Sequence, residues 1–350
     1  MKPYLSVIIP YHNAPDDLER LISSIQKSRM TLPFEVIVVD DGSEKACMVD
    51  SAWLKERNIT RHTTNFALRT VRLSKNCGPA IARNRGVDHA KGEFVVFLDG
   101  DVEVFPDTLK NICRIFRDDP DVVALTGVWV KEQRSDSFFP NFKALRDWSY
   151  WINERDKSGY YFLFSTRIAA IKRAVFLRLG GFNEEYPAPL VEDIELTYRI
   201  ARRYAIIFAP EVRVRHEFET FWPIAKKYFL RAYYWTKLYA RRKKFDPVAT
   251  TLQEAVTAIS GVGVAATAMI STAALLATRG ILTPVTGVFV MLFAVSLLLH
   301  TLLVAKFLAF VYREKGLMFM LKSFVTGIVL YCFIFGGAAA GRITHGKTGV

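Results

Sequence analysis

The run Phe94 to Asp101, FVVFLDGD, places two carboxylates, Asp99 and Asp101, directly after five apolar residues. Bounded by Gly92 and Gly100, the apolar stretch predicts a strand covered on both faces, and ligands of open α/β sheets collect beyond the carboxyl ends of such strands. Hard oxygen donors spaced in this way suit a Mg²⁺ or Mn²⁺ ion that keeps waters and completes its shell with substrate phosphates. Asp and Gly are also ordinary turn residues, so the pair acquires meaning from its surroundings.

Those surroundings repeat one theme. Leu5 to Pro10 predicts a strand tipped by Tyr11, His12 and Asn13, followed by a helix that opens at Asp16 and Asp17 and carries Leu18, Leu21, Ile22 and Ile25 at helical spacing. Phe34 to Val39 ends at Asp40, Asp41, Gly42 and Ser43. Leu68 to Leu73 leads through Asn76, Gly78 and Pro79 into a helix bearing Arg83, Asn84 and Arg85. Strands alternating with helices predict a mostly parallel sheet with its polar tips on one edge. Neither a Gly-x-Gly-x-x-Gly turn after the first strand nor a Gly-Lys-Ser/Thr loop is present, so a phosphate-bearing ligand is expected to be held through a metal.

Farther on, Val191 to Arg202 predicts a helix with Glu192, Asp193 and Glu195 in its first turn, where acids favour the helix dipole. Gly180, Gly181 and Phe182 precede it, and His216 closes the alternating run Val212 to Arg215. Cys47, Cys77, Cys113 and Cys332 lack metal-binding spacing and suggest no disulfide framework.

Taken in order, Ser6 to Asn13, Val38 to Ser43, Gly78 to Gly86, Asp99 to Asp101, Gly180 to Glu184 and Glu192 to Arg199 resemble family 2 glycosyltransferases of the GT-A fold. The resemblance covers roughly the first two-thirds of the chain and implies a Rossmann-like, mixed but mostly parallel sheet, a nucleotide-sugar donor (a UDP-sugar as first choice), inversion at the anomeric carbon and a Mg²⁺ or Mn²⁺ cofactor. By motif, Pro10, Tyr11, Asn13, Asp40 and Asp41 would line the nucleoside pocket, Arg83 would lie near the donor phosphates, and Gly78 and Pro79 would also bind substrate. Asp99, Gly100 and Asp101 would serve ribose and metal, His216 would be a further metal ligand, and Gly181 would allow close approach of sugar or acceptor. Asp193 would be the general base, with Glu192 beside it, because an alcohol becomes a competent nucleophile as its proton is taken in the transition state.

From about Asp246 the character changes. Residues 255–278, 280–305 and 323–341 contain no Asp, Glu, Lys or Arg. At 1.5 Å per residue each reaches close to the roughly 30 Å of a bilayer core, which predicts three transmembrane helices. Leu5 to Tyr11 is too short to be a signal peptide and suits a strand. The net charge of +13 is concentrated in part between Trp222 and Phe245, where eight Lys or Arg and eight aromatic residues occur without an acid. Phe221, Ala225, Tyr228, Ala232, Trp235 and Tyr239 form its apolar stripe, as expected of an amphipathic helix in a membrane interface; nucleic acid is the less suitable partner. The expected division is 1–220 for the GT-A domain, 221–250 for the interfacial helix and 251–350 for the membrane helices.

Arg241 to Lys244, and Lys306, Arg313, Lys315 and Lys322, place the catalytic domain on the cytoplasmic side and the C-terminus opposite. The function expected from the resemblance and the membrane segments is inverting sugar transfer to a hydroxyl of a lipid or lipid-linked glycan at the cytoplasmic leaflet, in cell-envelope glycan synthesis. A polyprenyl-phosphate sugar synthase and a non-catalytic nucleotide-sugar-binding membrane anchor are the alternatives. Processive polysaccharide synthesis is disfavoured, since Arg231-Ala-Tyr-Tyr-Trp235 stands where such enzymes resemble one another in Gln-x-x-Arg-Trp.

Overall fold

A computed structural model describes residues 2–47, 49, 53, 66–154, 161–186, 191–242 and 251–344. His62 and His345, and Lys243 and Lys244 of the basic run, lie outside the described residues. The chain divides into two compact units, residues 1–134 with 157–218 and residues 135–156 with 219–350.

In the first unit, β1 (Leu5–Tyr11), β2 (Phe34–Asp40), β3 (Phe66–Arg72) and β4 (Phe94–Leu98) run parallel, with β1 between β2 and β4. Their continuous apolar runs are explained by cover on both faces: β2 and β4 are buried along their whole length. Helices α1 (Pro15–Gln26), α2 (Pro79–Asp88) and α3 (Thr108–Asp118) follow three of these strands or their tips. α1 buries Leu18, Leu21, Ile22 and Ile25, the stripe expected of it, and α3 buries Leu109, Ile112, Cys113 and Phe116.

Four further strands complete a mixed sheet: β5 (Val102–Val104), β6 (Ala124–Trp129), β7 (Ile168–Lys172) and β8 (Ile206–His216). The order is β3-β2-β1-β4-β7-β6-β8-β5, with β7 antiparallel to both neighbours and β6 parallel to β8. The carboxyl ends of β1, β2, β4, β6 and β8 therefore share one edge. Phe97 on β4 packs with Phe164, Phe176 and Phe182 at ring separations of 6.0, 5.3 and 5.1 Å, filling the core behind that edge.

The second unit begins with a segment that lies, in the chain, between β6 and β7: α4 (Phe138–Ser149) and a π-helical turn, Tyr150–Glu154. Phe142 and Leu145 of α4 are buried with Ala225, Phe307, Phe310, Val311 and Leu330. After α5 (Arg173–Arg178) and α6 (Glu192–Ala201) of the first unit, the helical part continues with α7 (Phe221–Arg242), α8 (Leu252–Ala277), α9 (Pro284–Leu303) and α10 (Ala305–Thr344), the last interrupted by non-helical Gly316.

α8, α9 and α10 are long and apolar enough to cross a membrane. Polar groups pair within this region: Ser260 with His300 Nδ1 and Thr267 with Ser296, each at 2.8 Å. In hydrocarbon such pairs hold helices together because their alternative is an unsatisfied polar group. Ala225 and Ala232 of the α7 stripe are buried within the protein. A Cβ at Gly337 of α10 would lie 2.1 Å from the Phe229 carbonyl oxygen of α7, so the absence of a side chain there permits direct helix contact.

Candidate functional site

The tips of β1 and β2 are joined by short-range polar contacts. The backbone N–H of Asn13 donates to Ser43 Oγ at 3.0 Å, and Asn13 Oδ1 accepts from the Glu44 N–H at 3.0 Å. Pro10 and Tyr11 end β1 immediately before this junction. Asp40 is fully buried, and its carboxylate accepts from the N–H groups of Ser43 and Cys47 and from Arg72 at 2.9, 3.0 and 3.1 Å. Burial alone would raise its pKa; those hydrogen bonds and the Arg72 charge prevail and hold it below the usual carboxylate range.

Asp41 accepts from the N–H groups of Cys77 and Gly78 at 2.7 and 2.8 Å. Its carboxylate thereby fixes the approach to Pro79, the first residue of α2. Asp40 and Asp41 thus shape the loops at these strand tips through their own side chains.

Arg83, on α2, gathers the other acids. Its Nη2 donates to Asp99 at 2.6 Å and its Nη1 to Glu192 at 3.0 Å, while its guanidinium lies 5.6 Å from the Phe182 ring. Arg83 and Glu192 are nearly fully buried. Burial disfavours the charged guanidinium, but Asp99, Glu192 and Asp193 outweigh it and raise the Arg83 pKa. Among the described residues the buried Arg83 Nε–H has no partner, which leaves one donor of a fixed fork unused there. Asp193, in the first turn of α6, is only partly buried and caps the neighbouring Ile194 N–H at 2.8 Å.

Asp99 and Asp101 part company. Asp99 goes to Arg83, whereas Asp101 Oδ2 lies 3.4 Å from His216 Nε2 on β8. Asp99 and Asp101 thus meet different partners here, and among the described residues no three His, Cys, Asp or Glu side chains form a ready metal cage. By donor chemistry Asp101 and His216 suit a divalent cation as a two-donor set: one hard oxygen and one imidazole nitrogen, such an ion completing its shell with phosphate oxygens and water. Gly100 lies against β1, its Cβ position 3.2 Å from the Pro10 carbonyl oxygen.

The segment before α6 is held by Asn84, to which the sequence assigns a helix position but no role. Its Oδ1 accepts from the Phe182 N–H, and its Nδ2 donates to the Phe182 carbonyl and to Glu184, all at 2.9 Å. Gly181 has φ of +68°, and a Cβ there would be 2.6 Å from Asn84 Oδ1, so both backbone shape and space require glycine. The available signal for Asn84 was its place next to Arg83, but its partners lie 98 and 100 residues away.

Residues 6–176 match the family model described as glycosyl transferase family 2. An uncharacterized glycosyltransferase of Synechocystis is 28% identical over 143 residues, 39% of this chain and 43% of the relative. The dolichol-phosphate mannosyltransferase of Pyrococcus furiosus is 29% identical over 141 residues, 40% of this chain and 37% of the relative. The matches thus span less than half the length of either curated relative. Among solved structures, the mannosyltransferase PcManGT from Pyrobaculum calidifontis, in complex with GDP-Man and Mn²⁺, aligns with a TM-score of 0.54 at 20% identity, covering 98% of this chain and 88% of that one. That likeness is one of fold.

Proposed function

We propose that this chain, whose residues 6–176 belong to glycosyl transferase family 2, transfers a sugar from a nucleotide-sugar donor to a lipid or lipid-linked glycan at the cytoplasmic leaflet, with inversion at the anomeric carbon. The observation that carries the reading is the Arg83 cluster, in which Asp99 and Glu192 are tied to one buried guanidinium with an unused Nε–H while Asp193 stays partly open. The nucleoside would lie against Pro10, Tyr11 and the loops shaped by Asn13, Asp40 and Asp41. A Mg²⁺ or Mn²⁺ ion held by Asp101 and His216 would neutralise charge developing on the leaving diphosphate.

Asp193 would take the proton of an acceptor hydroxyl as that oxygen bonds to the anomeric carbon and the bond to the diphosphate breaks. Glu192, buried against Arg83, instead keeps the cluster together. Three apolar helices would anchor the chain, and the basic residues between them favour a cytoplasmic catalytic unit. Similarity to a dolichol-phosphate mannosyltransferase favours a second reading, transfer to a polyprenyl phosphate.

The test is to offer the purified full chain a panel of nucleotide sugars with phosphorylated and neutral lipid acceptors and to identify products by mass spectrometry. Transfer should vanish in excess EDTA. With a hydroxyl acceptor, Asp193→Asn should retain donor binding and lose about 10²-fold or more in turnover. Near wild-type transfer by that variant would remove the base assignment and favour an ionised phosphate nucleophile.

A further inference from the structure

One guanidinium at the same sheet edge has, among the described residues, no carboxylate paired to it. Arg167 precedes β7, and Leu98 opposite Ile168 is the last rung between β4 and β7, so Asp99 and Arg167 are the first residues beyond that rung. The Arg167 guanidinium carbon lies 4.5 Å from the Trp129 ring centroid and 5.8 Å from that of Phe218. Trp129, at the end of β6, is buried, whereas Arg167 is partly exposed. Among the described residues its contacts are these two rings, with no acid paired to it. A cation held on aromatic faces keeps its edge N–H donors available, and a guanidinium edge matches two oxygens of a phosphoryl group.

Its position connects it to transfer. Trp129 is in register with Val214 on β8, and His216 follows two residues later, so Trp129 and His216 project from one face of the sheet. The Phe218 ring, which touches Arg167, is 4.5 Å from the His216 ring. The tips of β1 and β2, assigned to the nucleoside, lie on one side of β4 in the sheet order; Arg167, Trp129 and Phe218 lie on the other. A ligand group there would belong to the molecule receiving the sugar.

We infer that Arg167 is a specificity-determining residue that binds a phosphoryl group of the acceptor, with Trp129 and Phe218 fixing the plane of its guanidinium. The inference rests on the sugar-transfer reading and narrows its acceptor to a phosphorylated lipid. An uncharged lipid alcohol offers the guanidinium only a neutral hydroxyl acceptor in exchange for lost water, whereas a phosphate monoester or diester forms charge-assisted hydrogen bonds with it.

The full chain in detergent is tested with phytanyl phosphate and phytanol as paired probes. Wild-type protein should bind phytanyl phosphate at least about tenfold more tightly than phytanol, and Arg167→Ala should erase that preference through a 10- to 100-fold loss, of the order expected for charge-assisted bonds. Arg167→Lys should recover part of it. In transfer assays Arg167→Ala should raise the acceptor KM with a smaller change in kcat, while calorimetry shows unchanged nucleoside diphosphate affinity. Equal phytanyl phosphate binding by wild type and Arg167→Ala overturns the inference, as does a loss confined to nucleoside diphosphate, which would assign the guanidinium to the donor. Absence of transfer by wild type with every donor would sink the functional reading, and the binding comparison would still decide whether Arg167 recognises phosphate.

Discussion

Two buried charge clusters occupy opposite ends of the same parallel strands, and they differ in whether their hydrogen bonds are complete. At the amino-terminal ends of β1 and β2, Glu35 accepts from Ser6 Oγ and the Lys91 N–H, each at 2.6 Å, and pairs with Arg69. Ser6 Oγ in turn accepts from the Gly92 N–H at 2.8 Å, and Arg69 also donates to the His89 carbonyl at 2.8 Å. That cluster ties strand starts to the turn entering β4. At the carboxyl ends, Arg83 likewise bridges distant elements, but among the described residues its Nε–H has no acceptor, and one of its carboxylates, Asp99, is partly exposed. A closed network stabilises; an incomplete one retains capacity for a ligand.

The largest effect that would test this contrast is at Arg83. Arg83→Met should lower sugar transfer by about 10²- to 10³-fold, the scale of losing a donor aimed at developing charge. It should also cost about 3–5 kcal/mol of stability, because Asp99 and Glu192 lose their shared cation. Arg83→Lys should recover more stability than activity, since an ammonium supplies charge without the planar fork. Activity is followed with radiolabelled donor and stability by thermal unfolding of the same preparation. Proportional recovery of both would reduce Arg83 to a structural cation and dissolve the contrast.

The contrast was only partly legible in the sequence. β1, β2 and β4 announce themselves because strands buried on both faces must be apolar throughout. β8 showed only its alternating end, Val212 to Arg215, since Pro210 and Glu211 interrupt the pattern that the full strand, Ile206–His216, carries. β5 is three residues long, too short to show a period. The acids at the tips were found because residue type and strand context coincide. The ion pair of Asp99 with Arg83 was not, because it depends on partners brought together by the fold, whereas the sequence already names Asp101 and His216 together as candidate ligands of one ion. The grouping of residues 135–156 with the C-terminal helices is likewise a matter of tertiary contact, though Phe138, Phe139 and Phe142 give α4 an apolar face.

At the closed cluster the expected effect is smaller and depends on pH. Burial alone would raise the Glu35 pKa, but hydrogen bonds from Ser6, Lys91 and Arg69, with the Arg69 charge, hold it below its ordinary value. A depressed folded-state pKa contributes stability that is present above the unfolded value, about 4.3, and is lost as pH falls through the folded value. Glu35→Gln should therefore cost about 1–3 kcal/mol near neutral pH while leaving transfer per folded molecule unchanged. The gap to wild type should narrow in acid below about pH 4. A gap that stays constant from pH 7 to pH 3 would show that charge on Glu35 contributes nothing.

The smallest effect is expected at Arg69, and it locates where the strength of the closed cluster resides. The Arg69 side chain is 34% exposed against 5% for Glu35, so water screens its side of the pair and readily takes over its donors when it is removed. Glu35 in Arg69→Gln keeps its bonds from Ser6 and the Lys91 N–H, both of which come from elements fixed by the sheet. The substitution should cost about 0.5–1 kcal/mol, clearly less than Glu35→Gln, with no change in transfer. Equilibrium unfolding of the two single variants and the double variant measures the coupling directly. If Arg69→Gln proves as damaging as Glu35→Gln and the double variant adds nothing, the ion pair itself holds the strand starts together; an unequal pair of losses assigns that task to Ser6, Lys91 and the geometry of the turn.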